Sequence, residues 1–120
     1  WSQLTAQPRV FFDGAHNAAG IGALCELVNR QPESECNIFL NTMRERDLGA
    51  FGQMLLQQIN KKVNLYLFPM PGDNYYPEAP QPLSAADDTA IRQLVTEPQK
   101  LHLFTGSMGL YAELRRRFAL

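Results

Sequence analysis

Three short polar segments, each directly after an apolar run, carry the residues of this chain that could do chemistry. The first is Asp13-Gly14-Ala15-His16-Asn17. A carboxylate in such a turn can accept hydrogen bonds from ribose hydroxyls, while a histidine and an asparagine at a helix start stand among free N–H groups that favour anions. A plainer reading fits the same residues, with Asn17 as an N-cap and Asp13 as a turn acceptor. The second segment is Thr105-Gly106-Ser107-Met108-Gly109. Glycine lets the backbone turn sharply and approach a ligand, and Ser107 can bind a carboxylate or phosphate or merely cap the next helix. The third, Thr42-Met43-Arg44-Glu45-Arg46-Asp47, is charged. It can reach a nucleotide or an adjoining domain, or be a solvated loop ending in a cap.

The elements that must position these segments follow from periodicity. Residues 9–13 (Arg-Val-Phe-Phe-Asp), 37–42, 63–68 and 101–105 are short runs rich in β-branched, leucine and aromatic residues, and each reads as a buried strand. Between them, Ile21, Leu24, Cys25 and Val28 fall at helical spacing, and Pro32 closes that segment. Asp47 is the expected N-cap of a helix carrying Leu48, Phe51, Leu55 and Ile59 on one face. Ser84 with Asp87 approximates a capping box for a helix bearing Ala90, Ile91, Leu94 and Val95, and a last helix puts Tyr111, Leu114 and Phe118 inward. Pro69 to Pro82 holds five of the eight prolines and reads as a long loop. Four strand–helix alternations predict a parallel sheet covered by helices on both faces. In such sheets ligands bind beyond the carboxyl ends of the strands, where the polar segments lie.

Composition narrows the function. The 120 residues are 45% hydrophobic and 19% charged, with 11 Lys+Arg against 12 Asp+Glu and a formal net charge of -1. This describes one domain spanning residues 1–120, with room for a core and no charge for capturing nucleic acid. No apolar run is long enough to span a membrane and no signal peptide opens the chain, so a cytoplasmic location is expected. The start at Trp1 is read as a piece cut from a longer chain. Cys25 and Cys36 are expected to be buried free thiols, His102 a strand-core residue, and Arg115 to Arg117 a complement to a helix dipole. The sequence carries no Gly-x-x-x-x-Gly-Lys-[Ser/Thr] phosphate loop, no Gly-x-Gly-x-x-Gly fingerprint and no cysteine–histidine spacing suited to zinc.

Val10 to Asn17, with the alanine- and glycine-rich helix start that follows, resembles the opening of the C-terminal domain of folylpolyglutamate synthase/dihydrofolate synthase, within the Mur ligase superfamily. Leu103 to Ser107 with Tyr111 and Glu113-Leu114-Arg115 is similar to that domain's closing strand, turn and helix, and Arg44 to Asp47 to its charged loop. The resemblance implies a Rossmann-like three-layer α/β/α domain with a mainly parallel sheet of about four to five strands. It also implies an ATP-dependent ligase. A central N-terminal P-loop domain of the parent chain would hold ATP and Mg²⁺, a folate or dihydropteroate carboxylate would be activated as an acyl phosphate, and L-glutamate would attack it. By position, Asp13 would hold the ribose and share the cofactor turn with Asn17, His16 would sit near the acyl phosphate and incoming glutamate as the catalytic residue, and Ser107 would help bind the glutamate carboxylate. The isolated domain would be inactive, because it lacks the P-loop.

The chain departs from the family pattern in three places. Ala18 stands where proline is usual, residues 1–8 hold no arginine to meet a γ-phosphate, and one strand–helix unit is expected to be replaced by the proline-rich loop and a helix. The change at Ala18 is mild, whereas the missing arginine and the shortened sheet favour an alternative, a non-catalytic binding or interaction module of the same fold.

Overall fold

The structure is a computed structural model that describes residues 1–6 and 8–120. Four strands form the parallel centre of the sheet: β2 (Val10–Asp13), β3 (Glu35–Leu40), β4 (Lys62–Leu67) and β6 (Leu101–Thr105), flanked by the short strands β1 (Ser2–Thr5) and β5 (Ser84–Ala85). The order across the sheet is β1-β2-β6-β3-β4-β5. Strand β6, last in sequence, lies between β2 and β3, and all five of its residues are buried. A strand covered on both faces has no solvent side, which is why its sequence does not alternate apolar with polar residues.

Helices α1 (Ala18–Asn29) and α2 (Leu48–Gln58) cover one face, and α3 (Asp88–Leu94) and α4 (Gly109–Glu113) the other. Because successive strand side chains point to opposite faces, Leu103 packs with Leu24 and Leu55 while its neighbour Phe104 packs with Phe39, Ile91 and Leu110. On the second face Phe39 stacks on Phe104 at 4.7 Å between centroids, and Phe68 meets Phe104 edge-on at 5.7 Å. Each such fully buried side chain contributes about 1.5–3 kcal/mol. Cys25 and Cys36 are free and buried on the α1/α2 side, where burial pushes the thiols up to about 11 and about 12, so neither is a thiolate near neutrality.

The sheet has six strands rather than four or five. The extra ones are edges: β1 runs antiparallel to β2 and shifts register between Gln3 and Thr5, and β5 adds two residues parallel to β4. The strand–helix unit expected to be lost is therefore shortened to β5 and α3. Ser84 belongs to β5 and is no cap. Asp87 caps α3, accepting from Ala90 N–H at 2.8 Å. The last helix is not continuous, because α4 passes into a π-helical turn over Leu114–Phe118 that ends at Ala119 in the left-handed region. Arg117, expected only to face a helix dipole, binds the Asp88 carboxylate at 2.6 Å, Glu113 at 2.9 Å and the Pro69 carbonyl at 2.7 Å. It ties α3, the final helical segment and the exit of β4 together. Among the described residues no helix is long and apolar enough to cross a membrane.

Candidate functional site

The polar segments meet at one end of the sheet because β2, β6 and β3 are neighbours and parallel, so their carboxyl ends lie side by side. Asp13 is in register with Thr105, and Leu40 with Thr105 on the other side. The turn after β6 is pressed against both neighbours. Gly106 has φ +115°, and a Cβ there would come within 2.2 Å of the Asn41 carbonyl oxygen, so only glycine fits. Met108 lies over the turn after β2, where a Cβ on Gly14 would meet its sulfur at 2.5 Å.

In the first turn Asp13 Oδ1 accepts from Ala15 N–H at 2.8 Å, and Oδ2 lies 3.0 Å from the Trp1 nitrogen. Asn17 caps α1, accepting from Gly20 N–H at 2.9 Å. The His16 ring is exposed, with Nδ1 3.0 Å from the Gly14 carbonyl. A carbonyl only accepts, so Nδ1 carries the proton and Nε2 keeps a free lone pair in the neutral ring. Arg46, from the β3–α2 loop, donates to the His16 carbonyl at 3.2 Å. His16, Asn17, Arg46 and Asp47 line a cleft of about 290 Å³ whose floor is Ile21, Phe51 and Met54. Asp47 caps α2 as expected, accepting from Ala50 N–H at 3.0 Å.

Ser107 lies on the other flank. Its Oγ accepts from Gly109 N–H at 3.2 Å and is 3.1 Å from the Tyr75 hydroxyl. Among the described residues no hydrogen bond joins it to Asp13 or His16. Tyr75 reaches it because the proline-rich loop folds back as a strap. Residue Met43 bridges Tyr75 in antiparallel fashion, Arg44 N–H donates to Asn74, and the buried Asn41 amide grips the Tyr76 backbone and the Phe68 carbonyl. The Tyr76 hydroxyl donates to the Arg46 carbonyl at 2.5 Å, below the first turn of α2. Sequence reading missed Asn41, Tyr75 and Tyr76. The adjacent tyrosines within a proline-rich loop were the available signal, but their partners lie about thirty residues away in the chain.

A larger cavity, about 780 Å³, lies elsewhere, between Met70, Tyr76, Ala85, Ala86 and Ala90. Its carboxylates Glu78 and Asp87 are exposed and Asp87 is engaged in capping, so it lacks the convergence of polar groups seen around the first and last turns. Among the described residues no group of three His, Cys, Asp or Glu side chains could hold a metal ion.

Compared with solved structures, the fold has counterparts over nearly the whole chain. A Yersinia pestis bifunctional folylpolyglutamate synthase/dihydrofolate synthase complexed with AMPPNP and Mn superposes with a TM-score of 0.78 over 99% of this chain, at 19% identity. The fold is shared with folylpolyglutamate synthase/dihydrofolate synthase. A structure of such an enzyme with Mn, AMPPNP and L-glutamate bound gives a TM-score of 0.76 at 16% identity, and E. coli FolC in complex with ADP gives 0.73 at 15%, each over 99% of this chain. The chain spans 30%, 31% and 32% of the length of these three structures respectively, a share that fits the C-terminal domain the sequence resembles. No family model matches the sequence, and no curated protein matches it.

Proposed function

We propose that this chain is the C-terminal, glutamate- and ATP-facing domain of an ATP-dependent ligase that adds L-glutamate to a folate or dihydropteroate carboxylate through an acyl phosphate. The observation that supports this best is the convergence of the Asp13–Asn17 turn and the Ser107 turn on adjacent strands, within a fold shared with enzymes solved with nucleotide and L-glutamate. With about four lone-pair sites, the Asp13 carboxylate keeps acceptor capacity beyond its contacts with Ala15 N–H and the Trp1 nitrogen, as a ribose-binding carboxylate requires, and Asn17 fixes the helix start beside it. The exposed His16 ring keeps its Nε2 lone pair free, which can take the proton that the glutamate ammonium must lose before its amine attacks. Ser107 offers a hydroxyl to the glutamate carboxylate. Among the described residues no group of three His, Cys, Asp or Glu side chains could hold a cation, so Mg²⁺ would be bound mainly by the N-terminal P-loop domain of the parent together with the triphosphate.

The test is glutamate-dependent ATP hydrolysis by the full-length protein with a folate substrate. Asp13→Ala and Ser107→Ala should each lower turnover efficiency at least about tenfold, or about 1.4 kcal/mol of transition-state stabilisation. Wild-type activity retained by both variants would refute the assignment.

One observation favours the runner-up, a non-catalytic binding module of the same fold. Arg9, the nearest candidate to replace the absent arginine, precedes β2 and is held by Glu33 at 2.9 Å and Gln31 at 2.5 Å, at the amino end of the strand and away from the site. A full-length protein that binds glutamate or nucleotide without turnover would support that reading.

A further inference from the structure

The Ser107 oxygen has two lone pairs and one proton. One lone pair receives the Gly109 N–H at 3.2 Å. The remaining neighbour is the Tyr75 hydroxyl at 3.1 Å, and a phenolic hydroxyl is a better donor than an aliphatic one. With Tyr75 donating, both lone pairs of Ser107 are filled and its own proton is the only function left to satisfy. Ser107 then acts solely as a donor.

The strap that carries Tyr75 is built to keep this contact. Asn41 clasps both the N–H and the carbonyl of the next residue, Tyr76, and Met43 pairs with Tyr75 itself. Beneath the phenol, Gly109 leaves the space open, since a Cβ there would lie 2.4 Å from the Tyr75 oxygen. Any other residue at 109 would push the hydroxyl off Ser107.

We infer that Tyr75 is a positioning residue that commits the Ser107 hydroxyl to donating toward an anionic acceptor, the carboxylate of the amino-acid substrate. The inference rests on the proposed ligase reading and deepens it. A committed donor matches a carboxylate oxygen, which only accepts, and it gives nothing to the N–H₂ face of a carboxamide. Tyr75 thereby sets selectivity for the acid without touching it.

The experiment uses the full-length protein and L-glutamate. Tyr75→Phe keeps the ring and removes the hydroxyl. It should raise the KM for L-glutamate about fivefold to tenfold with kcat changed less than twofold, and leave the KM for ATP unchanged. The decisive arm is the Ser107→Ala background, in which Tyr75→Phe should have no further effect on the glutamate KM, because the hydroxyl it positions is gone. A purely structural role for Tyr75 in the strap predicts the same added loss in both backgrounds, and that result would overturn the inference. So would a Tyr75→Phe enzyme with wild-type glutamate KM. If the wild-type protein shows no glutamate-dependent turnover, the ligase reading itself fails, and the inference falls with it for that separate reason.

Discussion

At Asn41 both halves of one side-chain amide are consumed. Its Nδ2 donates to the Phe68 carbonyl at 2.9 Å and the Tyr76 carbonyl at 3.0 Å, while Oδ1 accepts from Thr42 N–H at 2.8 Å and Tyr76 N–H at 3.1 Å. The residue is fully buried, so water does not compete for these bonds. It joins the end of β3, the end of β4 and the strap, and through the strap it fixes the height of Tyr75 above Ser107. Asn41→Ala leaves several buried backbone groups unpaired, which should cost about 2–4 kcal/mol. Urea unfolding gives that number, and amide exchange at residues 74–76 should accelerate by more than the global change. Unchanged exchange there would show that the strap is held by something other than Asn41.

Between elements, a polar row crosses the second face of the sheet. His102 of β6, Asn37 of β3 and Asn64 of β4 share one register. Asn37 Nδ2 lies 3.4 Å from His102 Nδ1, Asn64 donates to Asn37 at 2.9 Å, and His102 Nε2 faces the Glu97 carbonyl at 2.8 Å. Nε2 therefore carries the proton, and Nδ1 is the acceptor of the neutral ring. Burial holds His102 below its ordinary value of 6.5, partly offset by the Glu97 carbonyl and by Glu97 and Glu33 nearby, with Lys100 acting in the same direction as burial. In the unfolded chain the ring protonates first. As pH falls below about 6.5 the unfolded state binds more protons, so stability declines until the folded ring also titrates. Glu35 and Glu113 are shifted down, by the Asn64 hydrogen bond and by Arg116 respectively, so the stability they add is lost only below about 4.5. His102→Gln should abolish the decline that begins below about pH 6.5 while sparing the one that begins below about pH 4.5, as read from urea midpoints across pH. An unchanged slope in the upper window would assign it to another group. This row also marks what sequence can show of elements. Strands β2, β3, β4 and β6 and helices α1 and α2 are legible, because burial imposes apolar runs and helical spacing on them. Strands β1 and β5 are not, because Ser2–Thr5, half exposed, and Ser84–Ala85, exposed, are short edge segments defined by their pairing partners. The site divides in the same way. The candidates Asp13, which ends its strand, and His16 and Ser107, which follow theirs, can be picked out from local pattern, whereas the contacts of Asn41 and Tyr75 form only when a distant loop folds back.

Over the whole molecule, one sheet serves two cores. Leu103 belongs to the α1/α2 side and Phe104 to the α3/α4 side, yet they are neighbours in the central strand. Loss of either core removes the support of the other, so the chain should unfold in a single step, with circular dichroism and the fluorescence of its one tryptophan giving the same midpoint. Folding and chemistry are separable here. The candidate groups Asp13, His16 and Ser107 all sit at one end of the sheet, and the sequence holds no phosphate loop to cradle a triphosphate. Preorganised groups on one side of a bond do not supply the charge stabilisation that phosphoryl transfer needs on the other. The 120-residue chain by itself should therefore show cooperative unfolding and yet release no ADP above the protein-free background when given ATP, Mg²⁺, L-glutamate and a folate. Parallel assays on the isolated chain and on the full-length protein check this directly. Glutamate-dependent ADP release by the isolated chain would mean that the phosphate-binding chemistry lies within these residues, and the proposed division of labour between two domains would have to be abandoned.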